Sequence, residues 1–327
     1  MTISRFWLGC IFVLIIGVVL TKTGLSPYLF FAGYVVLQYV VLATAWNILG
    51  GYAGYVNLGV AGFFGIGVYS TVILSRFGSA PVPLAIIFAA VIAGLGGLGM
   101  GYLTLRLRGV FFSIATLALT IVLQTLILNW EMVGGARGVT IVVPAQTTFF
   151  SHYIHWLFVC VLFLSILAVG TARWIQAEWI GRGLAAIRDD ESAAECAGVP
   201  TLRLKLLATV LSGSLMGAVG ALYPFYVGFV DPQSAFSLVL AVNTLAMPLV
   251  GGIRDWRGPV LGAAILGTTQ VVTGVTSLSA ISQLIIGGLL VTFVVLAPNG
   301  LMGVFGPKRE TAAKWPQLKT ASRRTSS

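Results

Sequence analysis

One stretch of the chain gathers ionisable side chains closely enough to do chemistry: Glu178-Trp-Ile-Gly-Arg-Gly-Leu-Ala-Ala-Ile-Arg-Asp-Asp-Glu-Ser-Ala-Ala-Glu-Cys-Ala-Gly-Val-Pro200. Five of the nine acidic residues lie here: Glu178, Asp189, Asp190, Glu191 and Glu195. The run Asp189-Asp190-Glu191 could hold a metal ion in a membrane-embedded enzyme. Carboxylates in a helix-forming run have a simpler use as a solvated helix start favoured by the helix dipole, and that reading is preferred. The sequence has no Gly-x-x-x-x-Gly-Lys-Ser/Thr, no HExxH, no GxSxG and no Cys/His metal spacing. Its three cysteines, Cys10, Cys160 and Cys196, form no CxxC pair and read as idle or buried thiols. No catalytic, cofactor or metal residue is assigned. If the chain moves a solute actively, the energy comes from another chain.

The surrounding elements explain why this polar stretch stands out. Hydrophobic residues make up 58% of the chain and charged residues 9%, against about 25% charged in soluble domains. The composition is that of an all-α polytopic membrane protein. The net charge of +10 arises from basic loops and a basic tail suited to anionic lipid head groups, not to nucleic acid. Apolar runs predict spans at Phe6–Leu20, Tyr28–Leu49, Leu58–Leu74, Pro83–Leu105, Val110–Leu128, Tyr153–Trp174, Leu204–Tyr226, Phe236–Val250, Val260–Val275 and Ile281–Ala297. That is about ten, or eight if Leu58–Leu74 and Phe236–Val250 are re-entrant. Phe6–Leu20 follows Arg5 and lacks a small-x-small cleavage site, so a retained helix is favoured over a signal peptide. With both termini inside, only Lys22, Arg76 and Arg137 of the 19 basic residues fall outside, as the positive-inside rule requires. The polar stretch is then cytoplasmic. No charged residue falls well inside a predicted span, which counts against a proton- or sodium-driven carrier.

Leu184–Ala197 lacks Gly and Pro and predicts one helix, stopped by Gly198 and Pro200. Asn129–His152 and Gly228–Gln233 predict outward loops suited to docking. From Gly50 to Gly67 the chain is rich in glycine, which favours close backbone approach or a path lined by carbonyls. Val250–Gly262 has a similar Gly-Gly, polar-turn, Gly-spaced pattern and reads as a decayed internal repeat. Helix seams are predicted at Gly97/Gly101, Gly213/Gly217 and Gly258/Gly262. Asn47, Asn57, Gln124, Asn243 and Gln270 are uncharged amides within predicted spans, able to line an aqueous path or bond a neighbouring helix. Asn47, Asn57, Gly59, Gly62, Gln124 and Asn243 are the candidate translocation path.

The segment Ser192-Ala-Ala-Glu-Cys-Ala-Gly198 resembles the cytoplasmic EAA motif of ABC importer permeases, with Ser192 in place of the first Glu and Glu191 one position early. Gly183–Val199 as a whole is more similar to the branched-chain amino-acid permeases. Further matches follow in order: Asn47–Gly59, Phe63–Tyr69, Leu105–Gly109 with Ala115-Thr-Leu, Ser212-Gly with Gly220–Tyr223, Gly251-Gly with Gly258–Gly262, and Ala297–Leu301. The resemblance covers roughly residues 28 to 305 and favours the M-type of the two permease subunits; Val60 stands where that type often has His.

This resemblance implies a type II-like importer permease: an N-terminal helix and turn (1–27), a transmembrane domain (28–305) with a coupling loop at 175–203, and a disordered basic tail (306–327). It implies a paralogous permease, two ABC ATPase subunits that bind ATP and magnesium, and a periplasmic substrate-binding protein, all at the bacterial inner membrane. The 184–198 helix would enter a groove of one ATPase. Ala193 and Ala194 would give its close-packing face, Gly198 its turn, and Arg188, Asp189, Asp190, Glu191 and Glu195 its polar rim. The implied cargo is a branched-chain or similar small amino acid. A permease for urea, short amides or another small solute is the nearest alternative, and a stand-alone secondary carrier is the alternative from another class.

Overall fold

Helices that are apolar all round must be covered by other helices or by lipid. The computed structural model describes residues 3–78, 81–141, 152–275, 284, 287–288, 290–292 and 300–305. Its helices are α1 (Ile3–Leu20), α2 (Pro27–Ala53), α3 (Val60–Phe77), α4 (Val82–Thr104), α5 (Val110–Leu128), α6 (Tyr153–Ala177), α7 (Trp179–Asp189), α8 (Glu191–Cys196), α9 (Thr201–Gly220), α10 (Tyr223–Val227), α11 (Pro232–Ala235), α12 (Leu238–Gly251), α13 (Arg257–Val275) and α14 (Gly300–Phe305). Most of the expected span Ile281–Ala297, residues 142–151 of the expected outer loop, Ala297–Asn299 of the last motif and the tail from 306 lie outside the described residues.

Against the ten spans expected, six helical stretches among the described residues are long and apolar enough to cross a membrane: Pro27–Ala53, Val82–Thr104, Val110–Leu128, Tyr153–Ala177, Thr201–Val227 and Pro232–Gly251. Phe6–Leu20 and Val60–Arg76 are shorter apolar helices. The protein is an all-α, multi-pass membrane protein. α2 is its central post, packed on α6, α9, α12 and α13, with Trp46, Ile48 and Leu49 fully enclosed. α5 lies at the periphery and exposes Val110, Phe111, Ile114, Ile121 and Leu126, the surface a lipid-facing helix presents.

All three glycine seams are present. α4 packs along α9, with Gly97 against the Thr209 carbonyl and Gly217 against Ala93. α12 and α13 meet so closely that a Cβ on Gly262 would overlap the Met247 carbonyl oxygen. Such contact maximises dispersion between backbones where no hydrophobic effect acts between helices in lipid. The two Gly-Gly pairs lie near helix ends: Gly50 and Gly51 fall in the last turn of α2, which Gly54 caps, and Gly251 ends α12 with Gly252 as its cap. Each helix is followed by a short break and then a new helix.

The connections separate into two ends. One carries the α2–α3 break, the α4–α5 corner, α7–α8 and the α12–α13 turn, with most of the described basic side chains. At the other end, Val139–Thr140 (β1) pairs antiparallel with Phe229–Val230 (β2), and the Ile141 N–H donates to the Gly228 carbonyl at 2.8 Å. α1 rests along α6: Trp7 covers Gly170, and the Arg173 guanidinium stands 4.2 Å over the Phe6 ring.

Candidate functional site

The polar stretch forms two helices, not the single helix expected over 184–197. Asp190 takes an extended conformation between α7 and α8, and its carboxylate accepts a 3.0 Å bond from the Ala193 N–H. An Asp satisfies an otherwise orphaned N-terminal amide better than it serves a helix interior, so the paired Asp189-Asp190 makes a corner. α8 then ends at Gly198, which adopts φ 83°. That left-handed value suits glycine at a helix C-terminus.

The corner is fastened to the membrane bundle by a charged junction that the sequence did not reveal. The Lys205 ammonium, at the start of α9, donates to Glu191 Oε1 at 2.6 Å, to the Tyr55 phenol oxygen at 3.1 Å and to the Leu105 carbonyl at 3.2 Å. Tyr55 donates to Glu191 Oε2 at 2.5 Å. The Arg108 guanidinium lies 3.5 Å from the same oxygen. The Lys205 and Glu191 side chains are only 4% and 12% exposed. Burial pushes the Glu191 carboxyl up, but the hydrogen bonds from Lys205 and Tyr55 and the two nearby positive charges outweigh it and hold the group below its ordinary range. Burial, and then the Glu191 carboxylate, push the Tyr55 phenol up, so it stays a proton donor. One carboxylate thus joins α8 to α9, to the α2–α3 break and to the α4–α5 corner.

This geometry sorts the residues expected to form a docking rim. Asp189, Asp190, Ala193, Glu195 and Gly198 are exposed. Glu195 accepts a 2.7 Å bond from Thr201. Glu191 and Ala194 face the protein's own bundle, because the junction turns that side of α8 inward. Arg188 also reaches inward: it donates to the Gly51 carbonyl at 3.2 Å and packs on Gly54.

The expected path residues do not form one surface. Asn47 is buried in α2 beneath Gly51. Asn57 shapes the α2–α3 break: its Oδ1 accepts from the Gly59 N–H at 2.8 Å, and its carbonyl accepts from Trp46 Nε1 at 2.9 Å. Gly59 and Gly62 line a small cavity of about 80 Å³ with Met100 and Thr120. Gln124 is half-buried on α5. Asn243 alone of the six lines a larger cavity, about 500 Å³, between α2, α10, α11, α12 and α13. Gln38, Tyr39 and Gln270 share its polar wall; Phe31, Val35, Phe64, Tyr226 and Leu240 are among its apolar lining. Among the described residues no Asp, Glu, Lys or Arg lines it. Tyr28, Phe31, Val35, Gln38 and Tyr39 fall at helical spacing along one face of α2, a cue readable in the sequence once Gln38 is noticed.

The sequence profile of the family described as "Branched-chain amino acid transport system / permease component" matches residues 28–294. The chain belongs to this family. Among relatives of this permease, the Escherichia coli K12 high-affinity branched-chain amino acid transport system permease protein LivM is 27% identical over 308 residues, covering 85% of this chain and 72% of LivM. The probable branched-chain amino acid transport permease protein LivH of Methanocaldococcus jannaschii is 24% identical over 257 residues, covering 76% of this chain and 79% of LivH. The L-arabinose ABC transporter permease protein AraH of Azospirillum brasilense is 27% identical over 120 residues, covering 36% of this chain and 35% of AraH. No solved structure matches the permease. Its matched region contains both the charged junction and the larger cavity.

Proposed function

We propose that this chain is a membrane subunit of an ATP-driven importer for branched-chain or similar small amino acids in the bacterial inner membrane. It forms the translocation path with a paralogous permease and receives its cargo from a periplasmic binding protein. ATP is hydrolysed, with magnesium, on separate ATPase subunits that bind the exposed side of α7–α8. The family membership and the names of the LivM and LivH relatives support the class and the cargo.

The observation that carries the coupling reading is the charged junction. α8 presents Ala193 and Glu195 outward, beside the exposed Asp189 at the end of α7, while Glu191 holds its inner side to Lys205 and Tyr55. A push on the outer face is therefore delivered to α9 and to the α2–α3 break. A buried ion pair is a stiff link, because separating its members exposes each to a large desolvation penalty. The larger uncharged cavity supplies this chain's share of the path.

The test is purification of the tagged chain from gently solubilised native membranes. Co-purification of a second permease and one or two ATPases supports the reading. A chain that purifies alone, and moves leucine in proteoliposomes on a gradient without ATPase, overturns it in favour of a secondary carrier.

A further inference from the structure

The larger cavity holds donors that the helical ladder leaves unused. α12 begins abruptly after the short helix α11, with Ser237 between them as its N-cap. The Ser237 hydroxyl makes no capping bond. The first ladder bond runs from the Ala241 N–H to the Ser237 carbonyl, so the Leu238, Val239 and Leu240 amides precede it. A helix start of this kind attracts an anion through both its free N–H groups and its dipole. Ser237, Val239 and Leu240 all line the cavity.

A second observation points to a ligand there. Gln38 is 6% exposed, lines the same cavity, and has no hydrogen-bond partner among the described residues. On the same wall the Gln270 Oε1 is buried with no hydrogen-bond partner among the described residues; a buried acceptor left unpaired is costly, and a bound donor would satisfy it. Asn243 and Gln270 flank Tyr39 on the same wall. Their carbonyl oxygens and the phenol can accept from an ammonium group, and among the described residues the lining has no charged side chain to hold a second net charge.

Resting on the reading of this cavity as part of the path, we infer that it is a binding site for a zwitterionic amino acid with an uncharged side chain. The α-carboxylate docks at the start of α12, and the ammonium meets Gln38 and Asn243. Selection then occurs twice, once in the binding protein and again within the membrane.

The experiment measures tritiated L-leucine binding to the full chain in nanodiscs of uncharged lipid, with unlabelled competitors. L-Leucinamide, which lacks the carboxylate, should compete roughly ten- to a hundredfold more weakly than L-leucine, the loss expected for hydrogen bonds to a charged group. L-Glutamate and L-lysine should also compete poorly. Ser237→Asp places the chain's own carboxylate at the cap; it should keep or raise thermal stability while abolishing leucine binding. Gln38→Leu should weaken leucine binding about tenfold with little effect on 4-methylpentanoate, which has no ammonium. Equal competition by leucinamide, unchanged binding in Ser237→Asp, or no leucine binding by the wild-type chain overturns the site. Co-purification with ATPases would survive any of those results, so failure here is distinct from failure of the importer reading.

Discussion

Lys205 and Glu191 form an ion pair at 2.6 Å between the start of α9 and the first residue of α8. Both side chains are withdrawn from water. Removing Glu191 leaves Lys205 as an uncompensated buried charge, and removing Lys205 leaves Glu191 with only the exposed Arg108 opposite it.

Lys205→Met should therefore cost about 3–5 kcal/mol, the usual penalty for breaking a buried pair. Glu191→Gln should cost less, because the amide can still accept from Tyr55. The double variant Lys205→Met/Glu191→Gln should recover stability relative to Lys205→Met alone. Thermal unfolding in detergent, read as a double-mutant cycle, checks this; additive losses would mean that the pair is not coupled.

The same pair sets an acid limit. The folded-state pKa of Glu191 is lowered, so the native state binds this proton less readily than the unfolded chain. The stabilisation is fully present above the unfolded carboxylate value, about 4.3, and is lost as pH falls through the lower folded value. Wild type should exceed Glu191→Gln in melting temperature at pH 7, with the gap closing below about pH 4. Melting curves across that range provide the measurement. A gap that widens on acidification would reverse the sign.

Ala193 and Ala194 should part company on substitution. Ala193 is exposed and Ala194 is 5% exposed against the bundle. Ala193→Arg should leave the chain folded and in the membrane but abolish ATPase capture and uptake. Ala194→Arg should dislodge α8 and lower the melting temperature as well. Gly198→Asp should abolish uptake too, since φ 83° disfavours a residue with a Cβ. Uptake at wild-type rates in Ala193→Arg would remove α8 from the docking surface.

Two glycines give a contrast within the membrane. Gly262→Ala should destabilise by about 1–3 kcal/mol, because its Cβ would meet backbone that cannot yield. Gly99→Ala has open space around its Cβ and should be neutral or stabilising by up to about 1 kcal/mol. Thermal stability of the two variants in one detergent separates close packing from mere helix propensity.

How much was readable depended on range. Local signals gave Val110–Leu128 as a helix with those bounds, and placed all three glycine seams, since apolar length and small-residue spacing are written along one strand of sequence. The Asp190 corner was also local: the Asp189-Asp190-Glu191 run was read as a solvated helix start, yet a single helix was drawn through it over 184–197 because the run around it lacks Gly and Pro. The junction was not local. Tyr55 lies 136 residues from Glu191, and nothing beside Lys205 marks it as buried rather than as one more basic residue at a helix end. The cavity was missed for a related reason: Gln38 acquires meaning only when α12 and α13 are packed against α2.

The β1–β2 pair has a consequence for the direction of movement. It ties the segment after α5 to the segment after α10, at the end of the bundle remote from α8. Sliding these segments apart would sacrifice paired backbone groups for no compensating contact. Rotation about this clasp leaves it whole. A small displacement of α8 would then swing the helices as levers about this fulcrum, with the largest excursion at the basic end and the least at the clasp itself.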